Sequence, residues 1–260
     1  MLKVGRILAR LGVCCLPFIV VVPVHADPVL LAPSTSISVE TDVSVYLGNE
    51  TGPRDRSLLS DVFRGRTVSG TLSTRTEFAG STAAAQGAAS HTVTGQTMRF
   101  TGQATSSAMF GGATAPFTGG SSVGQAGLFA NVRLSLEQPS RYAFQGLLSA
   151  MGQYSLAGIV LQQWRCCDDY GLEFPSLISE FRLQRAADLP FRDAGVIGPG
   201  TYVLEVEALT RAEGYDIRGS SGRATYDLNF DVAPVPEPGS MSLIALGAAA
   251  LLARRQRARR

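Results

Sequence analysis

Alternation with a period of two runs through most of this chain, and helical spacing is scarce. Leu128, Ala130, Val132, Leu134 and Leu136 fall on one side of an extended backbone with mostly polar residues between them, as a half-buried strand requires. Tyr226, Leu228 and Phe230 alternate with Thr225, Asp227, Asn229 and Asp231 across 224–232. Thr201 to Leu209 repeats the pattern behind the turn Gly198-Pro199-Gly200. Further strands are predicted at Val43 to Tyr46, Thr67 to Phe78, Ser90 to Phe100, Arg141 to Leu148, Gln153 to Leu161 and Ile178 to Leu183. Gly95 reads as a bulge or close-packing point inside the third of these. A short helix is expected over Arg56 to Arg64. Between Gly80 and Gly127 the composition thins to Gly, Ser, Thr and Ala, with Gly111-Gly112 and Gly119-Gly120-Ser121-Ser122, and connecting loops are expected there. Strands at this spacing, punctuated by glycine turns, predict an all-β, two-sheet antiparallel sandwich, jelly-roll-like in outline.

The two ends follow other rules. Lys3, Arg6 and Arg10 precede a charge-free run from Leu11 to Val24, and Val24-His25-Ala26 places a small residue before Asp27-Pro28. A basic start, an apolar middle and a small-residue exit describe a secretory signal peptide over residues 1–26, with cleavage after Ala26. At the other end, Pro234-Val-Pro-Glu-Pro-Gly-Ser240 leads into an apolar run from Met241 to Ala253, closed by Arg254-Arg255-Gln256-Arg257-Ala258-Arg259-Arg260. Three prolines keep 234–238 out of helix and strand. Five arginines in the last seven residues resist crossing a bilayer and stay on the cytoplasmic side. Thirteen apolar residues make about 20 Å of helix, short for a core of about 30 Å; the upstream Gly-Ser and snorkelling arginines extend the span. The body from 27 to 233 is thus framed by a signal helix and a C-terminal transmembrane helix, both implying export.

The tail resembles the PEP-CTERM sorting signal of Gram-negative bacteria. Its Pro236-Glu237-Pro238 motif, short apolar helix and arginine cluster beginning at Arg254 and Arg255 occur in that order. The resemblance implies that the protein is a substrate of exosortase, an integral-membrane cysteine peptidase that cuts near the motif. It also implies passage through the inner membrane and association with exopolysaccharide or biofilm matrix at the cell surface. The same tail is labelled elsewhere as an ice-binding protein C-terminal domain. Threonine pairs such as Thr92-x-Thr94 recur at no fixed period, so the body offers no ice-binding ladder. Gly198 to Tyr202 and the final strand also resemble the passengers of this family.

Processing changes the charge. The chain carries 23 basic and 21 acidic residues. The span from Asp27 to Glu237 holds fifteen arginines against 21 carboxylates, a net charge near −6. A mildly acidic body has no electrostatic attraction to nucleic acid. Cys14 and Cys15 leave with the signal peptide. Cys166 and Cys167 remain, adjacent, and can form a strained ring, pair with another chain or stay reduced. They lack the spacing of a zinc pair, so no metal or cofactor is expected.

Catalysis finds little support. His91, the single histidine after Ala26, sits in a threonine-rich strand and reads as a surface residue. No phosphate loop or calcium loop is present. Glu205 and Glu207 share one strand face about 7 Å apart and read as solvated. The expectation is a non-catalytic surface or matrix protein. The alternative is a carbohydrate-binding sandwich presenting Trp164, Tyr142, Tyr154 or Tyr170 to a glycan, which needs those rings exposed.

Overall fold

The computed structural model describes residues 29–47, 50–112, 119–165, 174–184, 186–215 and 218–235, together with Leu246, Gly247 and Arg255. Among them lie twelve strands: β1 (Val29–Leu47), β2 (Glu50–Arg64), β3 (Thr67–Phe78), β4 (Ser81–Thr94), β5 (Thr97–Met109), β6 (Gly119–Leu136), β7 (Ser140–Met151), β8 (Tyr154–Arg165), β9 (Phe174–Gln184), β10 (Ala187–Ile197), β11 (Gly200–Tyr215) and β12 (Gly219–Pro234). They form two six-stranded sheets, ordered β2-β1-β6-β11-β8-β9 and β10-β7-β12-β5-β4-β3, antiparallel at every pairing. We call them sheets A and B. The predicted sandwich is therefore present, with six strands in each sheet and seven of the eleven connections crossing between sheets. No described helix is long and apolar enough to cross a membrane, and the expected signal and tail helices fall almost wholly outside the described residues.

Both ends of the sandwich emerge at one pole. Val29 at the start of β1 pairs with Ser135 near the end of β6. The chain then crosses through 137–139 to β7, whose first residue Ser140 pairs with Pro234 at the end of β12. Val235 N–H donates to the Pro139 carbonyl (2.9 Å), the last backbone bond before the Pro-Glu-Pro motif. The compact unit containing the sandwich runs from Ala26 to Val235.

The core tapers from this tail pole to the opposite one. Phe100, Phe144, Phe230, Tyr202, Leu134 and Leu136 fill the tail-pole half, all at most 4 % exposed. The rings of Phe144 and Phe181 meet edge to face at 5.8 Å, a favourable arrangement of their quadrupoles. Toward the far pole many inward positions shrink, to Ala83, Ala85, Ala104, Ala126, Ala212 and Ala224, with Val43, Val45 and Phe110 the larger side chains buried there. There the sheets come so close that a Cβ on Gly124 would stand 2.5 Å from the Ala84 carbonyl oxygen and 2.7 Å from that of Ser107.

This taper corrects the expectation of loops between Gly80 and Gly127. That stretch is β4, β5 and the first half of β6, with 113–118 outside the described residues. Its inward-facing small residues let the sheets approach, and residues of such size leave a weak hydrophobic alternation. Gly95 is likewise neither bulge nor packing point: with φ of 58° it turns β4 into β5 and divides the predicted strand into a hairpin. Nor is 56–64 helical. It belongs to edge strand β2, fixed by pairing with β1 from Leu47↔Glu50 to Ser34↔Arg64 and by the Arg56–Glu40 ion pair at 2.8 Å. Cross-strand partners override the local preference. Strand β10 leaves no clear alternation in the sequence, because Pro190 and Gly195 interrupt its pattern at a sheet edge, where proline is tolerated.

Candidate functional site

His91 is buried in the core, 1 % exposed, and not on the strand surface. Its Nε2 lies 2.6 Å from the Gly65 carbonyl, which can only accept, so Nε2 carries the proton. Nδ1 then accepts from the Thr35 hydroxyl at 2.7 Å. The imidazole stitches β4 to β1 and to the β2–β3 turn, and both nitrogens are committed. The surrounding threonines had marked a surface strand, whereas the inward parity of position 91 decides its burial.

The four aromatic candidates scatter. Tyr142 is a core residue, 7 % exposed, stacked on Phe144 at 5.8 Å. Its hydroxyl donates to Asp193 (3.1 Å), and burial followed by that bond raises its pKa. Trp164 is half-buried, with the Arg133 guanidinium 5.4 Å over its ring and Nε1 buried without a partner among the described residues. Tyr154 is exposed at 49 %. Tyr170 lies outside the described residues, as do Cys166 and Cys167.

The exposed aromatic side chains are nevertheless sorted. Tyr46, Phe129, Tyr154 and Tyr215 are 38–49 % exposed and all point from the outer face of sheet A. The outer face of sheet B bears Thr67, Ser69 and Thr71 on β3, Thr101, Gln103 and Thr105 on β5, and Thr225, Asp227 and Asn229 on β12, with no aromatic among the described residues.

On sheet A two cross-strand rows form a groove. Phe129, Glu207, Gly158 and Arg182 lie in one register row across β6, β11, β8 and β9; Asn131, Glu205, Val160 and Glu180 form the next. The side chains of Glu207 and Arg182 close over the buried Gly158, where a Cβ would stand 3.0 Å from Glu207 Oε1 and 3.4 Å from Arg182 Cγ. The concavity holds about 230 Å³. Arg182 Nε lies 2.7 Å from Glu180 Oε1 and 3.8 Å from Glu207 Oε1, while Asn131 Nδ2 donates to Glu205 Oε1 at 3.5 Å. Glu205 is exposed, as expected, but Glu207 is half-buried in the groove. Sequence reasoning passed over Phe129 because nothing local distinguishes it from the strand's core residues; parity places it opposite them.

Of the sorting residues, Arg255 is described and exposed; Pro236, Glu237, Pro238, Arg254 and the cleavage residue Ala26 lie outside the described residues.

Comparison with known proteins bears on this tail. Residues 234–260 match the family model of the PEP-CTERM protein-sorting motif. The chain carries that motif, which implies export and membrane-associated sorting in Gram-negative bacteria, with exosortase as the processing enzyme. No curated protein matches the chain. A solved structure of the infectious bursal disease virus Gx strain is similar over 90% of this chain and 75% of that chain, at 11% identity and a TM-score of 0.20, too low to carry an argument.

Proposed function

We propose that this bearer of a PEP-CTERM motif is a non-catalytic surface or matrix protein, cleaved by exosortase at its tail and held in exopolysaccharide. The motif at 234–260, beginning where β12 ends, carries the reading. The pole geometry supports it: β1 starts and β12 ends at the same end of the sandwich, so both flanking segments join the body at one pole. A body tethered to one membrane by either end can keep that orientation. Burial and double hydrogen bonding of His91 favour a structural role for it over general-base work. Intact-mass measurement of the protein from its own host is the test. Loss of residues 1–26 and of the segment beyond the Pro-Glu-Pro motif is expected, and Glu237→Ala should leave the C-terminal mass in place. Full-length mass in the wild-type protein would refute processing.

A second reading, a carbohydrate-binding module, is favoured by the confinement of exposed aromatics to one outer face.

A further inference from the structure

We infer that the groove on the outer face of sheet A, walled by Phe129 and floored by Val160, binds one chain of a neutral, hydroxyl-rich polysaccharide. This deepens the carbohydrate-binding reading and does not depend on tail processing. The two sheets share one architecture and each shows one face to solvent, yet their outer surfaces differ in kind. Sheet B offers hydroxyls, amides and the exposed aliphatic side chains Met109, Leu147, Met151 and Val196, but no exposed ring among the described residues; sheet A bears Tyr46, Phe129, Tyr154 and Tyr215. Solvation alone would not sort four exposed rings onto one side.

The groove supplies what a pyranose needs. The exposed ring of Phe129 presents a negative π-face to the partly positive C–H bonds of a sugar. Glu207 and Glu205 lie beside it, about 7 Å apart along β11. One oxygen of each carboxylate faces Arg182 or Asn131, leaving the second to accept from sugar hydroxyls. Arg182 supplies donors across the groove from Phe129, and about 230 Å³, less than the roughly 300–1,000 Å³ of small-molecule pockets, limits the occupant to a single sugar ring at a time. Tyr154 and Tyr215 lie further along the same face, Tyr215 donating to Glu213 (3.2 Å), so a chain leaving the groove meets more ring surface.

Charge selects among glycans. Glu180, Glu205 and Glu207 face a single arginine, and the body as a whole is acidic. A uronate-rich chain would be repelled, a neutral one not.

Affinity electrophoresis of the purified full chain in mild detergent tests this, with mixed-linkage β-glucan, xylan and polygalacturonate cast in separate native gels. The neutral glycans should retard the protein and polygalacturonate should not. Phe129→Ala should weaken retardation at least tenfold, and Glu207→Gln should weaken it without changing the thermal melt. Thr101→Ala on sheet B should leave it unchanged. Absence of retardation by both neutral glycans overturns the inference, as does stronger retardation by polygalacturonate or equal losses for Phe129→Ala and Thr101→Ala. Host mass reports tail processing separately, so either result can fail alone.

Discussion

Replacing Gly222 by alanine sets two physical effects against each other. Strand propensity alone predicts a gain, because glycine in a strand is worse than alanine by about 0.5–1 kcal/mol. The taper predicts the reverse. A Cβ on Gly222 would overlap Thr210 Oγ1 and stand 3.0 Å from Ser155 Oγ and 3.2 Å from Ser106 Oγ. Those hydroxyls form a buried cluster: Thr210 bonds Ser106 at 3.0 Å and Ser155 at 3.1 Å, and Ser155 donates to the Met151 carbonyl at 2.5 Å. Forcing a methyl in costs about 1–3 kcal/mol of overpacking, and displacing Thr210 from its partners adds about 1–3 kcal/mol. Against the propensity gain, a net loss of about 3 kcal/mol remains, which lowers Tm by about 6–12 °C in a domain of this size. Far-UV circular dichroism in urea at pH 7 gives the free energy. The sharper readout is a double-mutant cycle with Thr210→Ala, which removes the obstructing oxygen. The double variant should cost at least about 1 kcal/mol less than the sum of the singles, as residues in contact do. If Gly222→Ala falls within about 0.5 kcal/mol of wild type, or the two changes simply add, the small residues of 80–127 and their partners do not set the sheet separation.

Two further substitutions probe the core. His91→Ala removes the hydrogen bonds to Thr35 and to the Gly65 carbonyl and leaves a cavity, so a loss of about 2–4 kcal/mol is expected; an unchanged urea midpoint would contradict its inter-sheet role. Tyr226→Phe should go the other way. Its hydroxyl is buried over Gly102 and has no partner among the described residues, so deletion should stabilise by up to about 1 kcal/mol at pH 7. Burial raises the Tyr226 pKa above its ordinary 10.0, as it does more mildly for Tyr142. The folded state therefore holds these protons longer than the unfolded chain. Their contribution is complete below about pH 10 and is lost as pH rises further. Tyr226→Phe should flatten that alkaline decline between pH 9 and pH 11, and an unaltered slope would refute the assignment.

What the sequence determined by itself were the features that single segments encode. Alternation in 128–136, 201–209 and 224–232 fixed both strand and inward face, because a half-buried strand must repeat at two. Residues 234–260 likewise declared a sorting tail, since its proline motif, apolar run and arginine cluster are local chemistry. Tertiary structure decided the rest. Whether Gly, Ala and Ser between 80 and 127 formed loops or strands depended on how closely an opposing sheet approached. Residues 56–64 became a strand through pairing with β1, a partner that no window around them contains. His91 acquired its role from Thr35 and Gly65, far away in sequence. The groove joins Phe129, Glu207, Val160 and Arg182 from four strands. Periodicity tells which side a residue faces, but only register tells which neighbours it meets there.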